Sequence, residues 1–528
     1  MRRAATRTAA TSWAVLRRLD ALFNRLYGWR GNPLYHSGAV AVASFVILLV
    51  TGLYLLLLYR VGAPYASVET MTGQVWSGRW IRTLHRYASD VAVVAILVHA
   101  LRMVAQGRSW GPRTLAWVSG LVLLFVVLAS GWTGYVMVWD VQAQLLAQEG
   151  ARLLDVLPIF SEPIGRAFVG ERPLPGAFFF LNLFLHIVLP VGVGLILWIH
   201  LARVARPALL PPRPLLWGTV GALVAASVLW PIAMDPPADP LRVAGEVTLD
   251  VFYGFFLPFT RPLPAWGAWA AGGALSTVLL LVPLLTRPSR EERPVASSVN
   301  ERVCTGCEQC FLDCPYEAIS MVLRADGREG RVARVDPDLC VSCGICAGSC
   351  APMGVGPPGR TGRDQLADAR AFLASRAPGP GDVVVLACDR GAGEVAALGT
   401  FLDAPVLPVA CAGSLHTSVV ELLVRAGAGG VMVVSCPPRD CWNREGGKWL
   451  EARMHRGREA ELQARVDRRR VRLVYAAAAE RGRVAGELRA FRAYVLGLER
   501  PKGEERVQLE TECVLEEGGL VARTEWRG

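Results

Sequence analysis

Six apolar runs set the first limit on what this chain can become: residues 37–59, 83–101, 115–139, 178–202, 215–234 and 265–286. An α-helix rises 1.5 Å per residue, so about 20 apolar residues cross the hydrocarbon core of a bilayer. Within lipid such a run must close its own backbone hydrogen bonds, which makes it helical. The expected N-terminal fold is therefore a membrane all-α bundle of six transmembrane helices. Arg86 and Asp90 interrupt the second run and Pro190 the fourth, as helices packed on one another tolerate. No signal-peptide pattern precedes the first run. Residues 1–30, with seven Arg, read as an amphipathic helix on the membrane surface.

The loops orient the bundle. With the N-terminus inside, segments 1–35, 101–114, 201–214 and 287–293 hold 16 Arg against three acids, whereas loops 60–82, 140–177 and 235–264 hold eight Arg against ten acids. The positive-inside rule then puts both termini in the cytoplasm, on either end of a multi-pass bundle in a cell membrane. Composition agrees: 52% of the 528 residues are hydrophobic and 19% charged, with a mean hydropathy of +0.34. That excludes a disordered chain and argues against a wholly soluble one. The net charge of +11 does not indicate nucleic acid as a partner, because 54 of the 56 basic residues are Arg and many flank the apolar runs.

Composition changes abruptly after the sixth run. A surface helix at 1–35 and a membrane domain at 36–286 are followed by a linker at 287–298, a Cys-rich unit at 299–357, an α/β unit at 380–497 and a charged tail at 498–528. The α/β pattern predicts strands at 382–387, 405–410, 430–435 and 471–475, with helices at 391–402, 416–427, 446–466 and 480–496. Short apolar strands alternating with helices indicate a parallel sheet.

Of the seven His, His85 and His99 share the second run and His186 and His200 the fourth, each pair 14 residues apart. That spacing is close to four helical turns, so each pair occupies one face with about 21 Å between its members. Both helices run the same way, which brings His85 level with His186 and His99 level with His200. Facing imidazoles at two levels suit two bis-His haems, since neutral imidazole is a good iron ligand. Interhelical hydrogen bonding is what a single membrane His would otherwise offer. Gly38 and Gly52 on the first run, and Gly120 and Gly134 on the third, repeat the 14-residue spacing. A missing side chain lets a flat macrocycle approach, although small-residue helix packing also uses glycine. Arg82 and Arg102, each three residues from a His, suit haem propionates or membrane-interface anchoring.

Residues 1–286 resemble cytochrome b of the quinol:cytochrome c oxidoreductase and photosynthetic cytochrome families. The segments "WIRTLH" (80–85), "HALR" (99–102), "HIVLP" (186–190) and "GYVMVW" (134–139) carry the resemblance. It implies that His85 and His186 hold an outer haem b, and His99 and His200 an inner one. It also implies an outer quinone site at Tyr135, Trp139, Asp250, Phe252 and Tyr253. The family carries Pro-Glu-Trp-Tyr before its sixth helix, where this chain has "LDVFY" (249–253) with Val251 at the Glu position. A quinol needs a base to take its protons. Asp250 is one residue away and Glu246 lies upstream, but a solvated loop acid would read the same way. The family's last helices are absent from the sequence.

All 13 cysteines follow residue 300. Cys304, Cys307, Cys310 and Cys314 form C-x2-C-x2-C-x3-C before Pro315, and Cys340, Cys343, Cys346 and Cys350 repeat it. Thiolates so spaced wrap one corner of a cubane while the fourth reaches a second cluster. A zinc ribbon would leave half of them unexplained. The pattern resembles a bacterial two-cluster ferredoxin, which implies one 4Fe-4S cluster on Cys304, Cys307, Cys310 and Cys350. The other would sit on Cys340, Cys343, Cys346 and Cys314. Further on, Cys388, Cys411, Cys436 and Cys441 follow three predicted strands whose carboxyl ends share an edge, where α/β folds place ligands. Scattered buried cysteines are the alternative. Residues 383–495 resemble the delta subunit of methyl-viologen-reducing hydrogenase, with the match in "CAGSLHTSVVELLVRAGAGGVMVVSCPPRDC" (411–441). The resemblance implies a 2Fe-2S cluster on those four cysteines and electron exchange with heterodisulfide-reductase-type flavoproteins. Cys513 has no partner pattern, and His416, Trp442 and Asn443 suit backbone positioning.

The expected function is a membrane electron-transfer subunit of a quinone-linked oxidoreductase, passing electrons between a quinone pool and a soluble cytoplasmic flavoprotein or hydrogenase- or heterodisulfide-reductase-like subunit. A Rieske protein or c-type cytochrome at the outer face and a second copy of the chain are further candidate partners. The alternative is an electron-conducting anchor with no quinone site. Redox sensing ranks last, for want of a signalling module.

Overall fold

The computed structural model describes residues 2–158, 162–168, 174–202, 208–241, 247–289, 294–389, 391, 395–477, 480–498, 509–516 and 519–526. Glu246 and part of the linker, 290–293, lie outside the described residues. Two units emerge, Met1–Trp13 with Gly31–Arg287 and Ala14–Arg30 with Pro288–Gly528.

The first unit is helical. After α1 (Arg2–Gly31) come α2 (Ser37–Leu56), α3 (Pro64–Gly73), α4 (Gly78–Ala105), α5 (Thr114–Val136), α6 (Val141–Leu154), α7 (Gly176–Ala202), α8 (Arg213–Leu229), α9 (Leu257–Thr260) and α10 (Ala265–Thr286). Among the described residues, five segments are long and apolar enough to cross a membrane: Pro33–Leu56, Gly78–Ala105, Gly111–Val136, Gly176–Leu201 and Ala265–Thr286. The run at 215–234 forms the shorter α8, 17 residues long, or about 26 Å at 1.5 Å per residue. Its end is set by Pro231, which drives Trp230 out of the helical region, to φ −129°, ψ 67°. α2 packs on α4, α5 on α7 and α4 on α8. Large apolar side chains such as Leu53, Phe125, Val191, Trp198 and Leu275 stay exposed on the helices, as lipid-facing positions require.

The second unit holds two small folds. The Cys-rich region has β1 (Ser298–Val299), α11 (Gln309–Asp313), β2 (Ile319–Leu323), β3 (Arg331–Val335), α12 (Ile345–Ser349) and β4 (Val355–Gly356), with β1–β4 and β2–β3 paired antiparallel. α13 (Gly362–Ser375), capped by Thr361 and Asp364 in a reciprocal capping box, leads into β5 (Val383–Cys388), α14 (Val395–Leu402), β6 (Val406–Val409), α15 (Thr417–Arg425), β7 (Gly430–Ser435), α16 (Gly446–His455), β8 (Val471–Tyr475) and α17 (Arg481–Leu496). The strands form a parallel sheet in the order β6-β5-β7-β8. Alternation along β5 and β7 fills both faces: Val384, Leu386, Val431 and Val433 pack with α15 and α16, and Val383, Val385, Met432 and Val434 with α14 and α17. The helix expected over 446–466 stops at His455 because Gly457 takes a positive φ of 63°. A hairpin, β9 (Leu509–Glu516) with β10 (Gly519–Trp526), pairs Cys513 with Ala522.

α1 is interrupted at Gly28 (φ 68°). Its stretch 14–30 buries Leu16, Asp20 and Asn24. Asn24 Nδ2 donates to Glu480 at 3.3 Å, and the Trp29 and Tyr475 rings are 5.2 Å apart. The protein-facing side of this stretch is thus the one with Leu16, Asp20 and Asn24, while Val15, Leu19, Leu22 and Leu26 stay exposed.

Candidate functional site

The four membrane histidines converge in pairs. The His85 and His186 ring centroids stand 6.2 Å apart. Two imidazoles bonded to one metal at about 2.0–2.1 Å each would place their centroids about 6 Å apart. His99 and His200 lie one 14-residue step further along α4 and α7. Each of the four glycines lies against one imidazole. A Cβ on Gly52 would stand 3.2 Å from His85 Cε1, and one on Gly134 2.8 Å from His186 Cε1. On Gly38 it would be 3.0 Å from His99 Nδ1, and on Gly120 3.4 Å from His200 Cε1. The clearance nearest each glycine is thus occupied by the imidazole ring itself.

The residue before each glycine is a hydroxyl: Ser37, Thr51, Ser119 and Thr133. Sequence reading passed over them, although they repeat the same 14-residue spacing. Thr51 Oγ1 donates to Ile47 O at 2.7 Å, so its oxygen accepts from His85 Nδ1 at 2.8 Å. Thr133 donates to Ser130 O and Ser119 to Ala116 O, and they meet His186 and His200 Nδ1 at 3.2 and 3.0 Å. His186 Nδ1 is also 2.8 Å from Ser130 O. With Nδ1 protonated in this way, Nε2 keeps its lone pair, the form a metal takes. The donor set fits a bis-imidazole haem. Arg82 donates to Ile232 O at 3.0 Å and Thr72 Oγ1 at 3.3 Å, while Arg102 is buried with its guanidinium 5.0 Å from the Tyr35 ring.

One helical step from His85, Arg86 organises the candidate quinone region. It pairs with both Asp90 and Asp250. Its Nε donates to Tyr135 Oη at 3.0 Å, and its guanidinium lies 5.0 and 5.2 Å from the Tyr135 and Tyr253 ring centroids. Asp250 Oδ1 accepts from the Phe252 and Tyr253 backbone N–H at 2.8 and 2.7 Å, and Tyr253 Oη bonds Ser89 Oγ. Tyr135, Asp250 and Tyr253 are therefore brought together. Trp139 instead packs its ring on Phe168, Phe178 and Phe179, and Val251 is 76% exposed. Arg86 was legible only as a charge in an apolar run.

In the Cys-rich fold, one cavity is lined by Cys304, Cys307, Cys310 and Cys350, and a second by Cys314, Cys340, Cys343 and Cys346. Left-handed residues flank the central cysteine of each loop, Gly306 and Glu308 around Cys307 and Ser342 and Gly344 around Cys343. Such turns aim backbone N–H groups inward. Ser297 and Ser342 N donate to Cys340 Sγ at 3.4 Å, Ala318 N to Cys314 Sγ at 3.4 Å and Gly354 N to Cys350 Sγ at 3.2 Å. These donors suit thiolate ligands of iron–sulfur clusters.

The sheet collects the remaining four. Cys388 ends β5 and Cys436 follows β7, on either side of the point where strand order reverses, and Cys411 follows β6. All four, with Cys441, are 3% exposed. Cys388 and Cys436 Sγ are 3.8 Å apart, the edge of a tetrahedron with metal–sulfur bonds of about 2.3 Å. Cys411 and Cys441 converge on Gly446, where a Cβ would stand 2.9 Å from Cys411 Sγ and 3.4 Å from Cys441 Sγ. Two pairs of thiols fit a two-iron cluster. His416 Nδ1 accepts from Ser418 N at 3.2 Å, so Nε2 carries the proton toward Cys350 O at 3.2 Å. Burial, chiefly, lowers its pKa to about 4, so the ring is a neutral brace.

Comparison with known proteins follows these three regions. Residues 30–207 match the family model of cytochrome b/b6/petB, 303–354 that of the 4Fe-4S dicluster domain and 384–498 that of the methyl-viologen-reducing hydrogenase delta subunit. The menaquinol:cytochrome c reductase cytochrome b subunit of Bacillus subtilis (strain 168) is 26% identical over 155 residues, covering 28% of this chain and 69% of that protein. Its counterpart from Geobacillus thermodenitrificans is 24% identical over 195 residues, 34% of this chain and 86% of that protein. A solved structure titled "Hyperthermophilic respiratory Complex III" aligns with a TM-score of 0.40 at 18% identity, covering 49% of this chain and 78% of that one. The three resemblances read from the motifs are borne out, and with them haem b and 4Fe-4S clusters as the implied cofactor types.

Proposed function

We propose that this chain, joining a cytochrome b-like region to a 4Fe-4S dicluster region and a hydrogenase-delta-like region, is the membrane electron-transfer subunit of a quinone-linked oxidoreductase. It exchanges electrons between a menaquinone or ubiquinone pool and a soluble flavoprotein or hydrogenase- or heterodisulfide-reductase-like subunit in the cytoplasm. The observation that carries this is the pairing of all four histidines with glycines on neighbouring helices, three of them with Nδ1 on a hydroxyl of those helices. Two b haems, two 4Fe-4S clusters and one 2Fe-2S cluster supply one-electron redox chemistry when bound.

The residues have distinct tasks in this reading. His85 with His186, and His99 with His200, present Nε2 pairs at two levels. The ferredoxin cysteines take cubanes as grouped around the two cavities, and Cys388, Cys411, Cys436 and Cys441 take the two-iron cluster. α8 completes six crossings, its short apolar length accommodated by local thinning of the bilayer. The Arg excess on one set of loops puts the iron–sulfur regions and the His99–His200 level on the cytoplasmic side. Asp250 receives quinol protons, with Tyr135 and Tyr253 walling the pocket.

The full chain in detergent, reduced through a low-potential dye, is expected to be reoxidised at its haem α-band by a quinone analogue. If neither menaquinone nor ubiquinone analogues exchange electrons with it, the reading fails. A second reading, a conducting anchor without a quinone site, is favoured by two observations: Asp250 is already engaged by Arg86, and Val251 stands where the family has Glu.

Loss of one thiolate from the sheet edge gives a local test. Cys436→Ser is expected to abolish the 2Fe-2S electron paramagnetic resonance signal while the 4Fe-4S signals and haem spectrum keep their amplitudes. Retention of a full-intensity 2Fe-2S signal would remove Cys436 from the ligand set.

A further inference from the structure

Arg453, on α16, is fully buried, with 0% of its surface exposed. An isolated buried charge is costly, so its surroundings have to hold it. Nη2 donates to Gly413 O at 2.7 Å and Nη1 to Ser349 Oγ at 2.9 Å, and Nη1 lies 3.6 Å from Asp313 Oδ2. Nε has no hydrogen-bond partner among the described residues. Each contact sits beside a cysteine read as a ligand: Asp313 precedes Cys314, Ser349 precedes Cys350, and Gly413 follows Cys411 by two. One guanidinium thus touches the ligand loops of all three clusters. The fit is tight, because a Cβ on Gly348 would stand 2.6 Å from Arg453 Nη2 and 2.8 Å from Gly413 O.

The carboxylate supply is smaller than the cation load. Asp313, 1% exposed, accepts from Ser349 Oγ at 2.6 Å and also from Arg458. Two arginines therefore share one carboxylate. Guanidinium stays protonated in proteins, so the positive charge is permanent.

We propose that Arg453 is a positioning residue that locks the three cluster-bearing loops to one another and raises the reduction potential of the clusters beside it. Cluster potentials respond to net charge and hydrogen bonding around the sulfurs, and a nearby cation favours the reduced, more negative form. The inference rests on the assignment of these cysteines to clusters.

The test is a redox titration of the full chain followed by electron paramagnetic resonance, with iron and acid-labile sulfide counted in every sample. Arg453→Gln is expected to lower the 2Fe-2S potential by a tenfold change in the reduced-to-oxidised ratio, about 59 mV for one electron. Arg453→Lys is expected to recover at least half of that. Asp313→Asn, which removes the opposing charge, is expected to shift the potential upward. A packing role alone moves both variants the same way. An unshifted Arg453→Gln with full iron content, or shifts of the same sign in Arg453→Gln and Asp313→Asn, overturns the proposal. If Arg453→Gln does not assemble, the Asp313→Asn shift decides, upward supporting it and downward or absent overturning it. A wild-type chain without the clusters would instead sink the cysteine assignment.

Discussion

Replacing His186 by alanine is expected to halve the haem content of the purified chain and to remove one of two b-type spectral components. The remaining component, held by His99 and His200, should keep its amplitude, because the pairs lie about 21 Å apart along their helices. His85→Ala should give the same spectrum as His186→Ala, since their rings face each other at 6.2 Å and neither alone supplies two ligands. Gly134→Val should approach that phenotype without touching a ligand. Its Cβ would stand 2.8 Å from His186 Cε1 before the two methyl groups are counted. Overpacking of this kind costs about 1–3 kcal/mol even where neighbours yield. Here the neighbour is held at Nδ1 by Ser130 O and Thr133, so the ring cannot retreat without losing that bond. Leu275→Ala, at an exposed position on α10, is the control and should leave both components intact. Pyridine haemochrome quantitation with low-temperature difference spectra reads the outcome. Full haem content in His186→Ala would remove this histidine from the ligand set.

Much of this arrangement was visible in the sequence because it is periodic. The 14-residue repeats of His and Gly read directly as faces of helices, and the strands at 383–388, 406–409, 430–435 and 471–475 lie within a residue or so of the alternation that announced them. What stayed hidden is whatever lies opposite a face. Thr51, Ser119 and Thr133 sit one residue before the glycines, but their role depends on an imidazole from another helix. Arg86 meets Asp250 across 164 residues, a contact no local pattern encodes. The apolar side of α1, with Val15, Leu19, Leu22 and Leu26, was legible and stays exposed, whereas the contact of Asn24 with Glu480 across 456 residues was not. Local stops were readable in principle: Pro231 shortens α8 and Gly457 ends α16, both by ordinary backbone rules.

Asp250→Asn is expected to lower quinol turnover by about 10²–10⁴-fold, the usual contribution of a positioned general base. The haem spectrum should stay unchanged. The substitution is well suited to separating the two roles of this carboxylate. An asparagine Oδ1 still accepts from the Phe252 and Tyr253 backbone N–H groups, so the turn that carries Tyr253 to Ser89 is kept. What disappears is the proton-accepting oxygen and the ion pair with Arg86. Arg86 retains Asp90 on its own helix, so no cation is left unpaired. A carboxylate locked on a guanidinium is a poor base until the pair opens, and an incoming quinol hydroxyl competing for Asp250 is one way to open it. Arg86→Gln should accordingly weaken turnover less than Asp250→Asn, because it frees the base while losing the group that places it beside Tyr135. Asp250→Glu should retain most activity. Stopped-flow haem reduction by a quinol analogue distinguishes these outcomes. Undiminished turnover in Asp250→Asn, with both haems present, would make Asp250 a structural loop acid and move the proton acceptor elsewhere. Absence of turnover in every variant and in the unsubstituted chain would leave the conducting anchor as the function.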